Sequence, residues 1–297
     1  MDRDERIYHH SGRVSPLGFV LTVPICVAVV SVLAVIYGHL MALIPLVVIT
    51  ALLPFLFGIA IGALVGILGH LGKNRSPLIA MLVALALALW GEYLSWGVWV
   101  YDIFEESHGA AAHTYSVAKL WGFLKEFAAN GSYTLITGTE IRGWMLWVSW
   151  FLELLTVVGM ALLLAAMISS RGYFCEKCGR WTDQSYAAER LENTAISEIS
   201  PKAVREGDLS GLLRLSWARA GEKTTLKITV DHCSTCNDFH VFNLLRVGKR
   251  KNEEGKTEAT EKTLIPDLLI TPQEFKQIQA MRSGRPKEIR RAEVREA

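Results

Sequence analysis

The chain has 297 residues, 51% of them hydrophobic, a mean hydropathy of +0.27 and a net charge of only +2. So small a charge gives no basis for a nucleic-acid surface, and no nucleic-acid partner is expected. The average hides two regimes: residues 1–172 hold 9 Lys+Arg and 10 Asp+Glu, whereas residues 173–297 hold 22 and 19. That pattern describes a membrane part followed by a charged soluble part.

Residues 1–15 form an N-terminal tail, and four apolar stretches follow that are each long enough to span a bilayer, which takes about 20 residues. The first is residues 16–37, "PLGFVLTVPICVAVVSVLAVIY". It holds Cys26, and no small-residue cleavage site ends it, so it is expected to be a retained span. The second covers 42–70. Its Gly58, Gly62 and Gly66 recur at every fourth residue and line one helix face, a small-residue stripe that lets a neighbouring backbone approach closely. Such a stripe serves packing within one bundle or self-association into a homo-oligomer. Pro45 and Pro54 predict kinks in the same helix.

The third span is 77–101 and carries Glu92; the fourth is 144–170 and carries Glu153. Trp96, Trp99 and Tyr101 close the third, and Trp144, Trp147 and Trp150 open the fourth, as an interfacial aromatic belt would. Each acid lies nine residues from that interface, about 13 Å at 1.5 Å per residue. An acid at that depth is costly and should face the bundle or water. Glu92 and Glu153 are therefore a candidate intramembrane polar site for a proton or a cation, or else a plain interhelical contact. His39 and His70 stand near span ends, where solvated interfacial residues are ordinary.

Orientation follows from basic residues at span ends. Arg13, the loop pair Lys73 and Arg75, and Arg171 fall on one side, and the acidic Asp102, Glu105 and Glu106 on the other. Both termini are thus expected in the cytosol of a cell whose inner (cytoplasmic) membrane holds the chain. The outer segment 102–143 is long for a connector and should have structure of its own. Val117, Leu120, Trp121, Leu124 and Phe127 fall at helical spacing in it, predicting an amphipathic helix on the membrane surface or against the bundle.

Beyond Arg171 stand two Cys-x-x-Cys pairs, Cys175/Cys178 and Cys233/Cys236, in "CEKCGR" and "DHCSTCND". On a reducing face of a membrane they point to a metal site rather than disulfides. Each pair sets two thiolates on a tight turn, and two turns complete a tetrahedral sulfur shell. Gly179 and Asn237 follow the second cysteine of each pair and suit the left-handed backbone such turns use. These four cysteines, with strands over "TTLKITVDHC" and "FHVFNLLRVGKR" and a third after a turn at Gly255, resemble a zinc ribbon over residues 173–183 and 223–265. The first knuckle is also similar to that of rubredoxin, an iron protein, but the second lacks the glycine found there. The 54-residue separation between the knuckles requires an insertion. "YAAERLENTAISEI" and "DLSGLLRLSWARA" are expected to be helical, the latter capped by Asp208. The whole chain resembles bacterial membrane proteins that join four spans to a cytosolic zinc ribbon.

The expected fold class is therefore an α-helical polytopic membrane protein with four transmembrane helices and a small cytosolic α+β zinc-ribbon domain. The domains are the tail 1–15, the four-helix domain 16–172, the ribbon 173–268 and a charged tail 269–297. A closed four-thiolate shell implies one structural zinc ion. His232 and His240 flank the second knuckle but are not needed as ligands. No nucleophile elbow, Walker loop, dinucleotide fingerprint or metalloprotease helix is present, so no reaction can be named. Three functions stay open: a membrane-anchored domain for protein interaction or assembly, a small transporter or channel using Glu92 and Glu153 with a regulatory ribbon, and a redox or thiol sensor.

Overall fold

A computed structural model of the chain describes residues 6–43, 47–108, 116–130, 133–134, 140–192, 201–213, 215, 218, 224–251 and 257–283. It forms two compact units, Ser11–Arg171 and Met1–His10 with Gly172–Ala297.

In the first unit the long apolar runs become helices α1 (Pro16–Leu43), α2 (Val47–Leu71), α3 (Pro77–His108) and α5 (Trp144–Ser169). Ser-Pro opens both α1 and α3. Proline at the first helical position forfeits no hydrogen bond, and the serine before it caps the exposed N–H groups. Ser76 Oγ accepts from Ile79 N at 3.3 Å, for example. Among the described residues, four helices are long and apolar enough to cross a membrane: Pro16–Leu43, Leu52–Leu71, Pro77–Ile103 and Trp144–Ser169. Their outward faces leave Leu17, Val20, Leu52, Leu78 and Phe151 exposed. Such surfaces are unfavourable in water and suit a lipid environment, so the unit fits a multi-pass membrane protein.

Helix α2 lies along α5. A Cβ built at Gly58 would come within 2.5 Å of the Val157 carbonyl oxygen, at Gly62 within 2.5 Å of the Ala161 oxygen, and at Gly66 within 2.6 Å of Ile168 Cβ. The partners rise in number together, so the two helices run parallel. Val157 and Ala161, which face Gly58 and Gly62, are fully buried. The glycine stripe thus meets α5 of the same chain. Pro54 lies within α2, and Pro45 falls outside the described residues.

Between α3 and α5 lie helix α4 (Val117–Asn130) and the short strands β1 (Tyr133–Thr134) and β2 (Glu140–Ile141). Leu120, Leu124 and Ala128 of α4 are buried in one cluster with Trp99, Leu146 and Trp150, while Val117 and Trp121 stay exposed. Helix α4 therefore packs against the bundle. The same burial corrects the expected belt: Trp99 and Trp150 are buried inside the unit, and only Trp144 is fully outward.

The second unit begins with a hairpin of β3 (Phe174–Cys175) and β4 (Arg180–Trp181). Then come β5 (Gln184–Glu192), the short helices α6 (Pro201–Arg205) and α7 (Ser210–Leu213), β6 (Thr224–His232), β7 (His240–Lys251), β8 (Thr257–Ile270) and α8 (Pro272–Ser283). The sheet is an antiparallel meander in the order β5-β6-β7-β8. Strand β6 alternates, with Leu226, Ile228 and Val230 fully buried; each contributes about 1.5–3 kcal/mol by leaving water.

Three expectations are corrected here. "YAAERLENTAISEI" is not helical where it is described. Residues 184–192 form the edge strand β5, with Tyr186, Ala188 and Leu191 buried. A bulge between Ala188 and Leu191 returns Leu191 to the inner face and breaks the two-residue period. Helix-forming Ala, Glu and Arg hid a strand whose pairing with β6 overrides propensity. Next, the charged tail does not start at 269. Strand β8 runs to Ile270, and α8 buries Phe275 and Ile278 in the core; residues 284–297 lie outside the described set. Finally, residues 6–10 are no tail. Ile7 bridges to Leu268, Tyr8 N donates to the Asp267 carbonyl at 2.7 Å, and Arg6 Nη2 donates to both Glu274 carboxylate oxygens at 2.7 and 2.9 Å. The segment covers the open edge of β8, where Pro266 is tolerated because no further strand needs its missing donor. Helix α7 is only one turn long, with Asp208 Oδ1 accepting from Ser210 N at 2.9 Å. The predicted turn at Gly255 falls outside the described residues.

Candidate functional site

Two places in the structure gather chemistry. The first is the cysteine cluster of the second unit. The knuckle of Cys175 and Cys178 is the turn of the β3–β4 hairpin, where Gly179 N donates to the Cys175 carbonyl at 2.8 Å and Gly179 takes φ +63°. The knuckle of Cys233 and Cys236 joins β6 to β7, with the same bond from Asn237 N to Cys233 O at 3.0 Å and Asn237 at φ +50°. An amino acid with a Cβ is strained in that region, and asparagine is among the few that tolerate it.

The four sulfur atoms lie within 4.8 Å of one another, and Cys175 Sγ and Cys236 Sγ are 3.7 Å apart. A tetrahedral zinc–thiolate shell with bonds of about 2.3 Å puts its sulfurs about 3.8 Å apart. The donor set and spacing therefore fit a metal ion of that kind. Cys175 and Cys233 are buried, and Cys178 and Cys236 half-buried. Polar bonds pin one knuckle to the other. Lys177 Nζ donates to Asp238 Oδ2 at 2.5 Å, Arg180 Nη1 to Thr235 Oγ1 at 2.8 Å, and Ser234 gives its N–H and its hydroxyl to Asp183 at 3.0 and 2.5 Å. Burial pushes the Cys233 thiol up, but the N–H groups of Cys236 and Thr235 and the thiols of Cys178 and Cys175 outweigh it and bring it to about 7. Burial and the three neighbouring sulfurs push Cys178 up to about 12. Without a positive ion the four sulfurs must share protons; a metal takes the place of those protons.

Among the described residues, the metal-capable group contains these four cysteines and no histidine. His232 and His240 stack at 5.6 Å and both lie against Phe275 of α8, so they face the sheet core. His232 Nε2 is within 2.8 Å of Gln184 Oε1. A second polar cluster missed in the sequence lies beside the knuckles. Tyr173 Oη donates to Asp267 Oδ1 at 2.6 Å and accepts from Asn243 Nδ2 at 3.0 Å, and Asp267 holds φ +53°.

The second place is in the helical unit. Glu92 and Glu153 are brought to one region, each with an aromatic partner. Tyr37 Oη donates to Glu153 Oε1 at 2.5 Å, and Trp96 Nε1 donates to Glu92 Oε2 at 3.0 Å. Glu92 is 5% exposed, and its other oxygen has no hydrogen-bond partner. Glu153, Tyr37, Trp96, Trp99 and Trp150 line a cleft with about 300 Å³ of empty space, part of it open to the surroundings. Tyr37 was not foreseen; its signal was a lone phenol within an apolar span. His39 of α1 instead pairs with Asp102 of α3 at 2.7 Å. Cys26 is buried in the core of the bundle.

No protein-family model, curated protein or solved structure matches the chain.

Proposed function

We propose that the protein is an integral membrane protein of the cytoplasmic membrane that presents a structural zinc domain to the cytosol, where the domain binds another protein or organises an assembly. The observation that carries this reading is the closed sulfur shell: four thiols converge within 4.8 Å, leaving no ligand position for water or substrate. A catalytic zinc keeps such a position open. The cross-pinned knuckles add to the case, because a rigid surface around a fixed ion suits recognition. Basic residues at one end of the helices favour an orientation with both termini inside, where thiolates stay reduced and available to the ion.

The test is metal analysis of the full chain in detergent, followed by cross-linking from the second unit in cells. One zinc per chain and a recovered partner, another protein or a second copy, support the reading. A coloured iron-bearing protein, or release of the metal by mild oxidant, would move it to redox sensing. Failure to recover any partner, with no phenotype on deleting residues 173–297, would remove its ground.

A second reading, a small transporter or channel, is favoured by one observation: a cleft in the helical unit lined by a carboxylate beside a second, buried one. Liposome flux with Glu92→Gln and Glu153→Gln decides it, and unaltered flux argues against both residues.

A further inference from the structure

The cleft of the helical unit is built from three helices. Tyr37 comes from α1, Trp96 and Trp99 from α3, and Trp150 and Glu153 from α5. The indoles are set edge-on to one another. Trp96 and Trp150 have centroids 5.2 Å apart at 76°, and Trp96 and Trp99 6.1 Å apart at 60°. Rings crossed in this way form the corner of a box rather than a stack. Tyr37 is backed by Phe57, stacked at 4.6 Å, so its ring is held in place while its hydroxyl fixes the Glu153 carboxylate.

Charge supplies the second argument. Two carboxylates occupy helices otherwise apolar enough to cross a membrane, and no Lys, Arg or His is among the residues lining the cleft. Glu92 lies behind Trp96, fully buried, with one oxygen unpartnered. The two acids are not hydrogen-bonded through that oxygen, so a shared proton between them does not account for it. Of the two, only Glu153 lines the cleft, and a carboxylate in such a setting is stabilised by a positive partner.

We propose that the cleft is a binding site for a small alkylammonium cation, of the methylated or quaternary kind. A hard inorganic cation wants a shell of oxygen ligands, whereas four of the eight residues lining this cleft are aromatic. A methylated ammonium is held instead by indole faces and a nearby carboxylate, each indole attracting it through the ring quadrupole. The cleft is small and partly open, which selects a cation of a few heavy atoms. Trp96, Trp99, Trp150 and Tyr37 form the cage, Glu153 is the counter-ion, and Glu92 holds the Trp96 indole through its N–H. The cation is either free in solution or the headgroup of a lipid. The proposal concerns binding alone; it stands whether or not the chain moves its ligand, and it does not depend on the zinc domain.

The experiment uses the full chain in nanodiscs of phosphatidylglycerol, which carries no ammonium group, and titrates tetramethylammonium against sodium at constant ionic strength, read by calorimetry. Saturable binding of tetramethylammonium at least tenfold tighter than sodium is expected. Glu153→Gln should weaken it at least tenfold, and Trp150→Leu by a similar factor. Repeating the titration with phosphatidylcholine in the bilayer distinguishes the source: competition identifies a lipid headgroup, and unchanged affinity identifies a free cation. Absence of saturable binding in the wild-type chain overturns the proposal, as does sodium binding equally well. Both results are read on wild-type protein and need no variant to fold. Wild-type affinity retained in a folded Glu153→Gln chain also overturns it. A flux assay that fails while binding persists removes transport and leaves the site.

Discussion

Gly62→Ala puts one methyl group where a Cβ lies 2.5 Å from the Ala161 carbonyl oxygen and 2.8 Å from Leu164 Cβ. The first neighbour is backbone and cannot rotate away, so α2 and α5 must part by roughly 1 Å locally. A gap of that size forfeits about a quarter to a half of the attraction of each facing atom pair, itself about 0.1–0.2 kcal/mol. Over a few tens of pairs along the seam the loss is about 2 kcal/mol, inside the range of about 1–3 kcal/mol for overpacked sites. Lipid offers no compensating hydrophobic drive to hold helices together. Gly159→Ala on α5 is the matched control, because nothing lies within 4 Å of its Cβ. Both substitutions gain about 1 kcal/mol of helix propensity, so their difference isolates the packing cost. Unfolding of the full chain in mixed micelles, followed by fluorescence of the buried tryptophans, should show Gly62→Ala less stable than Gly159→Ala by about 2 kcal/mol. If the two variants agree within about 0.5 kcal/mol, the close approach of α2 and α5 does not stabilise the bundle.

Cys233→Ser should abolish zinc retention by the full chain and open the β3–β4 hairpin to protease. Structural zinc supplies on the order of 10–16 kcal/mol of folding energy in small domains, and full metal content in the variant would contradict the four-sulfur shell. The Arg6–Glu274 pair predicts an acid sensitivity. Burial raises the Glu274 carboxyl, but Arg6 and the Thr271 N–H and hydroxyl more than offset it and hold it below its ordinary value. A depressed carboxyl stabilises above its unfolded pKa, near 4.3, and loses that contribution as pH falls through the lower folded value. Protection factors of the α8 amides, referred to the intrinsic exchange rate at each pH, should therefore fall as pH drops below about 4, and Arg6→Ala should shrink that pH dependence; an unchanged profile would show that the pair is not coupled to folding. Tyr173→Phe leaves Asp267 and Asn243 without their shared partner and should cost about 1–3 kcal/mol. Amide exchange on β8 reads it, and no change there would count against the cluster.

Much of this fold could be read from residue order. Runs of some twenty apolar side chains have few stable alternatives to a spanning helix, so the starts of α1, α3 and α5 follow hydropathy closely, while α1 and α3 run on to Leu43 and His108, past the expected ends at 37 and 101. The cysteine pairs were legible for a similar reason: two thiols on a tight turn followed by Gly179 or Asn237 suit little else. Other features were present but masked. The start of α8 carries Thr271, Pro272 and Glu274, a reciprocal cap in which Thr271 Oγ1 accepts from Glu274 N at 3.2 Å and Glu274 Oε2 from Thr271 N at 2.6 Å. The density of charge in the residues that follow hides this cap in the sequence. In β5 the bulge erased the alternation that marks a strand.

What the sequence by itself determined is local: which segments are apolar over a span's length, where the turns carry metal ligands, and which glycines leave room. These depend on chemistry within a few residues. Only tertiary structure decided what those features meet. Cys178 and Cys233 are separated by 54 residues, and nothing in that interval announces that β6 and β7 carry the second pair back to the first. Tyr37, Trp96, Trp150 and Glu153 lie on three helices, and they line one cleft because α1, α3 and α5 pack at particular rotations about their axes. Helical periodicity gives the direction of a side chain relative to its own helix; the neighbour it faces is set by the packing of the other helices.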